Sequence, residues 1–287
     1  MKTIHHTIKT AVTALILTLC GTTAIAQVDG VKPSEKEKED IIAGVDMSHW
    51  NFDIRAGYSI GGTVPFDMPA EIRHINSFSP KVNYRFGLDI EYRFNENWGL
   101  LSGLYFERKG FKGDMTAKQY DITIRQGGEE ISGPFTGNVV ANIIQTGLTL
   151  PIQASWYINR KLKIRYGLYF SLITDRDFYG YAYGEPDGNG NYTAYLRQGN
   201  SQGALVYIGN DDNSRGTFEG DTYKEYMRRF QLGADIGADW LFSRHWGIFA
   251  DISLGLNSAF NDKPGNPVNM ALYPLYGTFG IVYKIGR

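Results

Sequence analysis

The sequence predicts an all-β protein: a closed up-and-down antiparallel transmembrane β-barrel of about eight strands, with short periplasmic turns and long extracellular loops. Three observations predict it. Long segments alternate apolar with polar residues, the polar phase mixes glycine with charges of both signs, and tryptophans gather beside short turns. Alternation with period two is the signature of a strand with two unlike faces.

The strands follow in order. In the first, Phe52, Ile54, Ala56, Tyr58 and Ile60 oppose Asp53, Arg55, Gly57 and Ser59. In the second, Tyr84, Phe86, Leu88, Ile90, Tyr92 and Phe94 oppose Arg85, Gly87, Asp89, Glu91 and Arg93. The third is expected from Trp98 to about Phe111, and the fourth near Ile144 to Trp156, where Leu148, Leu150 and Ile152 oppose Gly147, Thr149 and Gln153. Leu162 to Leu172, Phe230 to Trp240, Trp246 to Leu256 and Tyr273 to Ile285 supply the remaining four. Short turns are expected at Asn95–Asn97, Asn159–Lys161 and Ser243–His245, and the other connections are long. The longest, from about Thr174 to Tyr226, is rich in Gly, Asn, Asp and Tyr, and is expected to hold a hairpin of Tyr192–Leu196 with Ala204–Ile208.

Eight such strands also fit a soluble ligand-binding barrel of the lipocalin kind, with its apolar face inward. Strand length argues for the membrane, because most segments alternate for at least ten residues, near the nine to eleven that a tilted strand needs to cross hydrocarbon. The polar phase argues likewise. Arg55, Arg85, Asp89, Glu91, Arg93, Glu107, Lys109, Arg165, Asp235, Asp239 and Asp251 share it with many of the 34 glycines. Glycine weakens a solvated strand without return, whereas inside a narrow barrel it makes room for long charged side chains to pair. Every tryptophan except Trp50 lies within a few residues of a short turn, as in an interfacial girdle.

The start of the chain carries Lys2 and Lys9, the apolar run AVTALILTLC and the small-x-small Ala24–Ile25–Ala26, which together read as a secretory signal peptide over residues 1–26. Leu19 is bulky where a lipidated cysteine wants a small residue, which disfavours anchoring through Cys20, the only cysteine. Residues 27–48, with the mixed-charge run PSEKEKED, are expected to be a periplasmic tail, and residues 49–287 the outer-membrane barrel. The formal net charge of −1 gives no field for nucleic acid.

The first long loop GGTVPFDMPAEIRHINSFSP (Gly61 to Pro80), the segment FERKGF (Phe106 to Phe111) and TLPIQASW (Thr149 to Trp156) resemble the PorT-like outer-membrane β-barrel family of Bacteroidetes. The resemblance spans nearly the whole expected mature chain. It implies an outer-membrane barrel of about eight strands in a family whose members are often labelled porin-like. It brings no catalytic residue, and the secretion role associated with PorT itself does not follow from barrel features.

Chemistry was sought in the three histidines beyond the signal. His74, near Glu71 and Ser77, is the one candidate for a lipid-modifying Ser-His-acid set; His49 and His245 lie at the turn end. Asp175 and Asp177 stand where a barrel protease would place acids, and Asp211–Asp212–Asn213 lacks the glycine and spacing of a calcium loop. We expect no catalytic, cofactor-binding or metal residues, and no cofactor. A lumen holding charges plus Tyr105, Tyr169 and Phe249 disfavours a porin-like channel. The expected role is non-enzymatic: structural, adhesive or complex-forming. Expected partners are outer-membrane lipid and lipopolysaccharide, with envelope proteins meeting the loops or tail.

The outward assignment gives a first expected outcome. Leu104→Arg should cost about 2–4 kcal/mol of folding stability in lipid vesicles. Unchanged folding there and at Ile90, Ile236 and Ile252, with loss of folding in Asp89→Leu and Asp235→Leu, would mean that the apolar face is the interior.

Overall fold

A computed structural model describes residues 41–42, 45–46, 49–65, 70–126, 129–183, 195–196, 206–209, 226–261 and 271–285. The chain divides into two compact units, Met1–Trp50 and Asn51–Arg287. In the first, Ile41–Ile42 pairs antiparallel with Val45–Asp46. The signal, the charged tail and Asp211–Asn213 lie outside the described residues.

Among the described residues, eight strands form a ring: β1 (Trp50–Pro65), β2 (Tyr84–Arg93), β3 (Trp98–Gln126), β4 (Glu129–Tyr157), β5 (Leu162–Tyr183), β6 (Phe230–Leu241), β7 (Trp246–Gly255) and β8 (Leu272–Ile285). Each is hydrogen-bonded to the next in sequence. β8 then pairs antiparallel with β1, from Phe52↔Ile285 to Pro65↔Leu272, and closes the sheet. Closure removes both edges, the condition for a sheet to lie in lipid.

The three short turns share one device. Asn95 Oδ1 accepts from the backbone N–H of Asn97 and Trp98 at 2.9 Å, and Asn159 Oδ1 from Lys161 and Leu162 at 2.8 and 2.9 Å. Ser243 Oγ accepts from Trp246 at 3.1 Å in the same way. A side-chain acceptor two or three residues upstream satisfies the backbone where the ladder stops.

The two faces separate as the alternation requires. Leu104, Ile236 and Ile252 are 53%, 55% and 58% exposed, while Arg55 and Arg165 are 1% and 0% exposed. The apolar residues therefore face outward and the ionic ones inward. Rings mark the turn end of the outer face: Trp98 stacks on Trp156 at 6.0 Å, and Trp246 meets Tyr283 edge-on at 4.9 Å. At the other end the outer face of β3 turns polar after Phe106, through Arg108, Lys112, Asp114 and Thr116. There Asn76 donates to Asp114 and Asn138 at 3.0 and 3.1 Å, and Thr116 to Asn138 at 2.7 Å.

Two expectations change beyond that boundary. The long connection between the third and fourth strands is a ladder: β3 and β4 stay paired from Phe111↔Ile143 to Gln126↔Glu129, with an irregularity before Tyr120 where Gln119 takes φ 56°. Ile72–Pro80 adds to this wall by pairing with Phe111–Ala117, with two register shifts. The expected hairpin in the longest loop is also revised. Tyr195–Leu196 pairs with Phe135–Thr136 of β4, and Val206–Gly209 with Tyr179–Ala182 of β5, so each extends a wall strand. Residues 192–194 and 204–205 lie outside the described residues.

A bulge at Thr174, between the pairs Gly147↔Ile173 and Thr146↔Asp175, flips the phase of β5. Below it Ser171 and Ile173 are buried, and above it Arg176 and Phe178 are. One extra residue on one strand reverses which positions face inward.

The inward glycines have a specific use. Gly87 is paired with Tyr105, and Gly233 with Tyr169, and each tyrosine ring lies where the glycine's Cβ would be. Gly87→Ala is expected to cost about 1–3 kcal/mol by overpacking. Gly113→Ala, whose nearest neighbour would be a Phe111 ring carbon at 3.5 Å, should cost markedly less. Urea unfolding of both variants in vesicles measures the difference.

Candidate functional site

The interior is where the sequence concentrates its charge, and it is the natural place to look for a site. Strand phase delivers one inward side chain every second residue, and the ring brings them within reach of one another. At the centre stands Asp239 of β6. Its carboxylate accepts from Arg55 through both terminal nitrogens, Nη1 at 2.9 Å and Nη2 at 2.6 Å, and from Arg165 Nε at 3.0 Å. Lys163 Nζ approaches it at 3.4 Å. Arg55 also donates through Nε to Asp89, which accepts from the Tyr105 hydroxyl at 2.6 Å. Arg165 reaches Gln153 Oε1 at 3.0 Å and pairs with Asp251.

Toward the turns, Glu91 accepts from Ser155 and from the Tyr157 hydroxyl, and Lys163 Nζ lies 3.3 Å from Glu91 and 3.5 Å from Asp53. Arg93 lies over the Tyr157 ring at 4.3 Å and is half-buried. Toward the outer end, Arg85 bridges Glu107 through Nε and Asp251 through Nη1 at 2.8 Å. Glu107 accepts in addition from Lys109 and Thr149, both at 2.7 Å. Lys109 lies 5.5 Å from the ring centres of both Tyr169 and Tyr276.

Above the ionic layers the interior becomes apolar. Phe111, Ile143 and Phe178 of three neighbouring strands pack with Tyr226, Met227, Ala259 and Phe260, which enter from the ends of the β5–β6 and β7–β8 connections. Phe178 meets Phe260 edge-on at 5.2 Å, and Arg176 Nη1 donates to the Met227 carbonyl. Among the described residues the interior thus carries ion pairs below and a hydrocarbon plug of seven buried side chains above.

All the inward charges expected from the sequence face the lumen, and all are buried except the half-buried Arg93. Tyr105, Tyr169 and Phe249 are buried there too. Asp53 and Lys163 share the inward phase, which does not distinguish them from other inward residues, yet Lys163 links three carboxylates. The plug was not anticipated, because Tyr226, Met227, Ala259 and Phe260 lie outside the strand alternation.

The residues weighed for catalysis do not converge. His74 is exposed on the Ile72–Pro80 strand, and among the described residues no hydrogen bond joins it to Glu71 or Ser77. His245 Nδ1 lies 3.1 Å from the Lys284 carbonyl, at the turn end with His49. Above the bulge, Asp175 and Asp177 fall in the outward phase. No grouping of His, Cys, Asp and Glu that could hold a metal occurs among the described residues.

The pattern of the outer membrane protein beta-barrel domain family matches residues 32–261. The chain belongs to this family. No curated protein matches it. Among solved structures, Ail, the attachment invasion locus protein of Yersinia pestis, in complex with the heparin analogue sucrose octasulfate, is 11% identical. That alignment covers 82% of this chain and 97% of Ail, with a TM-score of 0.34. OprG of Pseudomonas aeruginosa is 14% identical over 82% and 95% of the two chains, with a TM-score of 0.33. CarO2 of Acinetobacter baumannii is 12% identical over 82% and 99%, with a TM-score of 0.34. At such scores these likenesses carry no information about role.

Asp239 is the residue on which the ionic layers converge. Asp239→Asn should destabilise the barrel by about 3–5 kcal/mol, because it leaves Arg55, Arg165 and Lys163 without their shared counter-charge in a buried site. Equilibrium unfolding in vesicles measures it, and a change below about 1 kcal/mol would show that the network is replaceable.

Proposed function

We propose that this outer-membrane barrel is a non-conducting, non-enzymatic scaffold that holds a surface-exposed wall, and that its role is adhesive, complex-forming or structural. The observation that carries the reading is what stands in the interior among the described residues: ion pairs from Glu91 to Glu107, then the plug around Phe111 and Phe260. An eight-stranded barrel encloses little more than its own side chains, which agrees with this closure. Activity is therefore assigned to surfaces, chiefly the wall formed by β3, β4, β5 and Ile72–Pro80 beyond the apolar band.

On this reading residues 1–26 are a cleaved export signal, 27–48 a periplasmic tail and 49–287 the barrel. The chain is a PorT-like member of the family from a Bacteroidetes envelope. No catalytic, cofactor or metal residue is assigned. Its partners are outer-membrane lipid and lipopolysaccharide, with envelope proteins contacting wall or tail, and nucleic acid is not among them.

Planar-bilayer recording tests the proposal. The purified protein, verified as folded by its faster migration on unboiled gels, should give no steady single-channel current. A stable conductance that changes selectivity in Lys109→Ala would replace the scaffold reading with a narrow channel.

A further inference from the structure

Where the outer face of β3 leaves the apolar band it presents Arg108, then Gly110, then Lys112 in the same phase. Arg108 pairs with Tyr84 of β2, and Lys112 with Ser79. Between them Lys81 is anchored by its backbone N–H to the Gly110 carbonyl at 3.0 Å, and its own carbonyl accepts from the Tyr58 hydroxyl at 3.2 Å. Four residues of strand place Arg108 and Lys112 roughly 13 Å apart, with Lys81 beside the midpoint.

These cations lack carboxylate partners among the described residues. Arg108 makes one polar contact, to the Val82 carbonyl at 2.9 Å, and Lys112 makes no hydrogen bond or ion pair. The nearest acid in phase, Asp114, accepts from Asn76. At the corresponding height β5 carries an acid instead, Asp175, so the basic character is not a uniform ring.

Below the patch lies a ledge for hydrocarbon. Val82, Phe86 and Phe106 are exposed, and Tyr84 packs against Phe86 and Phe106 at 5.5 and 6.0 Å. On β3, four residues below Arg108, Leu104 forms one end of a groove of about 360 Å³ that crosses β4 and β5 to Phe230, Leu232 and Asn257, on the side away from β2. Cations at headgroup height over this exposed apolar ledge match a molecule with phosphate at one end and acyl chains at the other.

We propose that Lys81, Arg108 and Lys112 hold the phosphorylated headgroup of an outer-leaflet lipid whose acyl chains lie on the ledge of Val82, Phe86 and Phe106. This rests on the outer-membrane reading of the barrel. Arg108 supplies a planar fork for phosphate oxygens at one end of the row, and Lys81 and Lys112 follow it as point charges. Binding in one sector fixes one lipid at one position on the circumference.

Native mass spectrometry of the full-length folded barrel in detergent tests the site with three probes: a diphosphorylated lipid A, the same lipid without phosphates, and inorganic phosphate. The phosphorylated lipid should bind about tenfold or more tightly than its dephosphorylated form, and millimolar inorganic phosphate should not displace it. Lys81→Gln/Arg108→Gln/Lys112→Gln should abolish that preference, while Arg160→Gln/Lys161→Gln/Arg244→Gln at the opposite rim, with the same change in charge, should keep it. Lys112→Gln alone touches no hydrogen bond and should lose affinity several-fold with folding intact. Equal binding of the two lipids, equal loss in the opposite-rim variant, or displacement by inorganic phosphate overturns the site. Vesicle insertion is measured on the same samples: normal insertion without phosphate preference rejects the site alone, and absent insertion rejects the barrel reading with it.

Discussion

The ladder between β8 and β1 joins the last strand to the first, and most other features follow from that joint. In hydrocarbon a backbone N–H without a partner costs several kcal/mol, so a sheet there must return to its own beginning. Returning after eight strands sets a narrow bore. A narrow bore forces inward side chains to touch across the axis, and long ionic ones can be accommodated only as mutually neutralising sets. That is the arrangement around Asp239 and Glu107. With the bore occupied, the outer wall and the rims are left to interact with anything else.

How much of this was legible in the sequence depends on what surrounds each segment. Inside the membrane band the two environments differ so sharply that alternation names the face of nearly every residue, from Phe52 to Ile285. Beyond the band both faces of β3 and β4 can carry polar residues. Lys112, Asp114 and Thr116 then read as a loop although they belong to the ladder between β3 and β4. The phase change at Thr174 is hidden for a related reason: one inserted residue leaves local composition unchanged while exchanging inside for outside. The plug was illegible because Tyr226, Met227, Ala259 and Phe260 stand in short irregular segments with no period. Tyr195 and Val206 carried a readable strand tendency, but their partners are set by the extended β4 and β5, which the pattern did not show.

The candidate site was legible as a list of charges and illegible as a set of partners. Spacing put Arg55, Arg165 and Asp239 inward, but which cation meets which acid depends on register across non-neighbouring strands. Arg55 on β1 and Asp239 on β6 are 184 positions apart. Lys163 gains its importance only from the meeting of Asp53, Glu91 and Asp239 around it. A one-residue slip of any strand would send these groups into lipid. We infer that the network serves register more than stability, since buried ion pairs are a weak source of net stability but a strong penalty on wrong arrangements.

Among the described residues, the wall beyond the band rises from one part of the ring. β3, β4 and β5 continue far past the apolar zone, whereas β6 begins at Phe230 and β7 ends at Gly255, close to its edge. A neighbour drifting in the plane of the membrane toward these three strands meets a tall hydrogen-bonded screen. On that side contact begins at backbone height, well beyond the lipid, before the apolar band is reached.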